Sequence, residues 1–180
     1  MIIQKHDMFS LKLNNAFRID ISPITKPINN IFYIRMFLIY SFGYLKSKKP
    51  LTIHKLNLFF EDGMSFEEGD INIDNKNNKV YFSESYHTYD RKPMTPEIEE
   101  LLEEANFIEL CKIEFLDYVV MTKDNFYHLL LVWDEILDQA PPFALLYEDD
   151  KNWFDILSFD SKEAMEEFVA DHAQPEEIQK

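Results

Sequence analysis

The chain has 180 residues, 46% of them apolar and 15% aromatic, enough to bury a sizeable core; one globular domain is expected over 1–180. Its 18 Lys/Arg against 33 Asp/Glu leave a formal charge of −15, which repels phosphate backbones and argues against a nucleic-acid partner. Three glycines without a G-x-G-x-x-G or P-loop spacing exclude a glycine-rich phosphate cradle; the single cysteine excludes an internal disulfide and points to a reducing, cytoplasmic compartment.

The charge is divided along the chain. Residues 1–60 hold nine Lys/Arg against Asp7 and Asp20, whereas residues 61–180 hold nine against thirty-one acids. The chain thus reads as a basic N-terminal third (1–60), an acidic remainder (61–172) and a polar, frayed tail (173–180).

In chain order, the first residues lack an apolar leader core and a small-residue cleavage site, so no secretory leader is expected. Ile2–Phe9 and Leu11–Ile21 read as short strands, and Pro23 and Pro27 break any regular element after them. The apolar run Ile31–Leu45 falls short of the roughly twenty residues that cross a bilayer and contains Arg35, so no membrane span is expected. It is a buried helix or a pair of buried strands; its aromatic and β-branched content leaves the two open. Thr52–Phe60 alternates like a strand, and Glu61-Asp62-Gly63 signals a turn. Ile71–Asp74 and Val80–Tyr89 follow as strands joined by Asn75–Asn78, since Asn tolerates positive φ.

Thr95-Pro96 is a helix entry, with Ile98, Leu101, Leu102 and Ala105 forming one buried stripe. Cys111–Met121 reads as a strand. Thr122 then caps a long helix with Phe126, Leu129, Leu130, Trp133, Ile136 and Leu137 on its inner face, ended by Pro141-Pro142. Phe143–Tyr147 and Trp153–Phe159 form a hairpin. Asp160 and Glu163 cap a last helix that buries Ala164, Met165, Phe168 and Val169. The expected class is α+β, an antiparallel meander with three to four helices on one face.

No residue set specifies catalysis, a metal or a cofactor, and none is assigned. The five histidines keep no metal-ligand spacing, and His128 stands four residues after Asp124, a local helix pair. The polar cluster Tyr86–Asp90 is explained by strand residues with satisfied hydroxyls. Asp70, Asn72 and Asp74 take the first positions of a calcium loop, but Asn75 replaces its glycine and Tyr81 its bidentate glutamate. Cys111 sits among apolar residues as an inert core thiol, and no serine has a strained, glycine-flanked turn.

The acid is directional. If the helix stripe points inward, Glu99, Glu100, Glu103 and Glu104 point outward together, and Glu163, Glu166 and Glu167 repeat the pattern. Predicted turns add Glu61, Asp62, Glu67, Glu68 and Asp70, and then Glu148, Asp149 and Asp150, with Trp153 as an aromatic anchor. Such one-signed surfaces speed encounter with a basic protein. The bland alternative is solubility.

The stretch Thr122-Lys123-Asp124-Asn125-Phe126, through Trp133 and Pro141 to Tyr147, Asp149 and Trp153, resembles small bacterial immunity proteins of contact-dependent and polymorphic toxin systems. The resemblance implies a cytosolic, cofactor-free inhibitor that occludes a basic toxin domain, often a nuclease, with acids standing in for phosphates. It carries over no binding residue; the twelve candidate acids and Trp153 come from the exposure argument alone. A different expectation is a regulatory or stress adaptor acting as a homodimer through Ile31–Tyr44. An acid/base hydrolase would instead need several carboxylates to converge in a cleft.

Overall fold

The protein, as a computed structural model, is described over residues 1–13, 19–47, 49–59, 64–66, 69–85 and 92–174. Two compact units account for it: residues 1–32 with 128–180, and residues 33–127. In chain order the elements are β1 (Ile3–Leu13), β2 (Ile19–Pro23), α1 (Phe32–Ser47), α2 (Ile53–Phe59), β3 (Met64–Phe66), β4 (Gly69–Asp74) and β5 (Lys79–Glu84). They continue with α3 (Pro96–Glu103), α4 (Phe107–Lys112), β6 (Tyr118–Thr122), α5 (Lys123–Gln139), β7 (Phe143–Asp149), β8 (Phe154–Phe159) and α6 (Lys162–His172). The class is α+β, built on two four-stranded antiparallel sheets rather than one meander.

The first unit holds the sheet β2-β1-β7-β8. Successive side chains of β1 leave opposite faces, so Met8 and Phe9 enter different layers. Met8 joins Ile3, Leu145 and Tyr147 beneath Met165 and Val169 of α6. Phe9 meets Trp133 of α5 edge-on at 6.4 Å, and both are fully buried. Helices therefore cover both faces of this sheet, where one was expected. α6 starts at Ser161, whose Oγ accepts from the Ala164 amide at 3.1 Å, one residue after the expected Asp160 cap; Met165 and Val169 are buried as expected, but Ala164 is exposed.

The second unit holds the sheet β3-β4-β5-β6. Asp74 builds the β4–β5 turn: its Oδ1 accepts from the Asn77 amide at 3.0 Å, its Oδ2 from the Asn77 side chain at 2.7 Å, and Asn78 takes φ 56°. These bonds, the Asn77 side chain first, hold the Asp74 carboxyl below its ordinary value. On one face of β5, Phe82 packs against Phe37 of α1 at 5.6 Å and Phe126 at 5.8 Å. On the other, Tyr81 joins Leu110, Cys111, Phe115 and Leu116, over which Ile98, Leu101 and Leu102 of α3 lie half-buried.

The apolar run forms the helix α1, with Tyr33, Ile34, Phe37, Leu38 and Leu45 buried. Two expected strands are otherwise. Thr52–Phe60 contributes the helix α2, where the Thr52 hydroxyl takes the Lys55 amide at 3.3 Å and offers a helix start that alternation hid. Cys111–Met121 divides into the end of α4, a turn with Glu114 at φ 59°, and β6. α3 also ends early, in a Schellman turn. The Ala105 amide bonds Leu102 O at 3.0 Å and the Asn106 amide bonds Leu101 O at 2.8 Å, with Ala105 at φ 53° and exposed instead of in the stripe. Among the described residues no helix is long and apolar enough to cross a membrane.

Candidate protein-binding surface

α3 supplies the first surface. Thr95 caps it, its Oγ1 accepting from the Ile98 amide at 3.3 Å, and Pro96 opens it. The half-buried stripe on the Cys111 cluster fixes the helix's rotation, so Glu99, Glu100, Glu103 and Glu104 all stand exposed in one ridge. Among the described residues no Lys, Arg or His lies within ion-pair distance of these four.

The ridge works against its own helix. Glu97 and Glu99 in the first turn suit the positive end of the dipole, but Glu103 and the capping Glu104 sit at the negative end. The pairs Glu99–Glu103 and Glu100–Glu104 add like-charge repulsion of about 0.2–0.5 kcal/mol each. Nor does the ridge rest on a titrating floor: burial pushes the Cys111 thiol up to about 12, so it stays protonated at neutral pH. On α6, by contrast, Lys162 neutralises the corresponding Glu166 at 2.9 Å.

The β7–β8 hairpin tip supplies the second surface. Here two of the expected contact acids are corrected into structural roles. Glu148 is buried at 4% exposure and pairs with the Lys5 ammonium, which also lies 5.8 Å from the Phe154 ring centre. Asp149 is half-buried and engaged by its own turn, its Oδ1 accepting from the amides of Lys151 at 2.8 Å and Trp153 at 2.9 Å. The hairpin loop leaves amides without a strand partner, and the Asp149 carboxylate supplies the acceptor for two of them. Asp150 remains exposed and takes the Ile2 amide, at 3.4 Å. Trp153 is 37% exposed and packs against the His128 ring at 5.4 Å. His128 reaches Asp155 at 3.0 Å, a partner that sequence spacing with Asp124 did not indicate.

Asp70, third of these corrections, is 3% exposed on β4, because its partner Ser83 places it on the α3–α4 face of the sheet. Glu61, Asp62, Glu67 and Glu68 lie outside the described residues, as does the Tyr86–Asp90 cluster. Of the candidate set, the structure thus gathers Glu99, Glu100, Glu103 and Glu104 on one helix and Asp150 with Trp153 on one hairpin. A shallow apolar depression between β1, β2 and the end of α5 is lined by Leu11, Leu13, Ile19, Ile136 and Leu137, without a titratable side chain. Among the described residues no group of three His, Cys, Asp or Glu is arranged to hold a metal. No family model, curated protein or solved structure matches the chain.

Proposed function

We propose that this protein is a non-enzymatic, cytosolic binder of a basic protein, acting as an immunity-type inhibitor that occludes the cationic surface of a toxin domain such as a nuclease. The observation that carries this reading is the α3 ridge: four exposed glutamates, with no Lys, Arg or His within ion-pair distance among the described residues, two of them at the negative end of the helix dipole and all spaced for mutual repulsion. A solubility role needs only scattered charge, whereas a concentrated ridge focuses potential and raises the rate of meeting a cation. The occluding step needs no bond chemistry: carboxylates occupy the sites a basic enzyme reserves for phosphate.

The test is co-expression with the product of the adjacent gene, followed by capture at low and high salt, with Glu99→Gln/Glu100→Gln/Glu103→Gln/Glu104→Gln in parallel. A complex weakened by about tenfold or more, both by salt and by the four substitutions, supports inhibition through the ridge. Indifference to both would sink it.

A further inference from the structure

We infer that the β7–β8 hairpin tip is a preformed seat for one guanidinium group, an arginine of the basic partner lying on the exposed part of the Trp153 indole. This rests on the binding role proposed above and names one contact within it. The chain has two tryptophans and treats them oppositely: Trp133 is fully buried, while Trp153 keeps 37% of its surface in water. Exposed tryptophan forgoes one of the largest gains a side chain can make by burial, and at interfaces it is an anchor residue.

Trp153 is also held in place. Asp149 takes its amide at 2.9 Å, the Trp153 carbonyl takes the Asp149 amide at 2.9 Å, and Asn152 turns the loop at φ 59°. The indole rests against His128 at 5.4 Å and an interplanar angle of 48°, and Asp155 at 3.0 Å fixes that imidazole. A ring so oriented loses little rotamer freedom on binding.

The surroundings select a cation. Asp150 is exposed on the same tip, three residues before Trp153, and the half-buried Asp155 bonds the His128 that the indole rests on, whereas Glu148 is already neutralised by Lys5. Lys151 is the tip's own cation, exposed at the turn. A cation over an indole gains from the ring's negative face. Guanidinium suits the seat better than ammonium, because it is planar, stacks, and can fork onto a carboxylate such as Asp150.

The test is titration of the full chain at low salt with a hexa-arginine peptide and, separately, hexa-lysine, following the two indole N–H signals by NMR; Trp153→Phe assigns them. The expected result is movement of the Trp153 signal alone, tighter binding of hexa-arginine than hexa-lysine, and a loss of about threefold to tenfold in Trp153→Ala. Asp150→Asn, which alters one exposed group, loses about twofold and carries the test if Trp153→Ala does not fold. Hexa-arginine bound equally well by wild type and both variants overturns the seat while leaving the binding role standing. No binding of hexa-arginine at low salt overturns both.

Discussion

On α3 the carboxylates of Glu99, Glu100, Glu103 and Glu104 stand in solvent; at the β7–β8 tip Glu148 and Asp149 are drawn into the fold by Lys5 and two loop amides. As sequence, the two acidic runs look alike. What separates them is the supply of donors. On α3 the amides of Ile98 and Glu99 are taken by Thr95 and that of Glu104 by Glu100, so the glutamates there have only water or a partner to face. A hairpin loop leaves amides open, and a nearby acid becomes part of the turn. A charge run therefore reveals a binding face only after the fold's own hydrogen-bonding needs have been met.

The largest test of this contrast is Lys5→Ala, which strands the Glu148 carboxylate at 4% exposure. Discounted for the part-exposed lysine, the loss is about 2 kcal/mol of unfolding free energy, read by urea denaturation. Next comes Asp149→Ala, which frees the Lys151 and Trp153 amides and costs about 1–2 kcal/mol, while Asp150→Ala in the same tip changes stability by less than about 0.5 kcal/mol. Equal losses at the two positions would contradict the division of roles.

Neutralising α3 with the four Glu→Gln substitutions should go the other way, raising stability by up to about 1 kcal/mol, because relief of the repulsion and of the dipole conflict at Glu103 and Glu104 outweighs the first-turn charge lost at Glu99. Stability gained with partner affinity lost is the signature of charge kept for binding. The smallest effect is at alkaline pH. The Cys111 thiol beneath α3 is raised to about 12 by burial, so its contribution to stability is complete below the unfolded thiol value of about 8.5 and declines as pH rises toward 12. A disulfide reagent at pH 8 should accordingly leave Cys111 unmodified in the folded chain and react on addition of denaturant.

Local chemistry determined much of this molecule. Thr95-Pro96 and Thr122 start their helices, Asn75–Asn78 turns its hairpin, and Pro141-Pro142 follows the end of α5, because caps and turns depend on residues a few positions apart. The outward direction of the α3 glutamates was legible for the same reason: a 3.6-residue period links them to Ile98, Leu101 and Leu102. Tertiary structure decided the rest. Thr52–Phe60 alternates like a strand yet is helical, and the strands separate into two sheets, since pairing depends on neighbours distant in the chain. Asp70, Glu148 and Asp149 left the candidate surface because the groups that face them, across β5, on β1 and in the hairpin loop, meet them only once strands are paired and the turn is closed. An acid's sign is written in its codon; its counterpart is chosen by packing, where long-range contacts set which carboxylates remain in water.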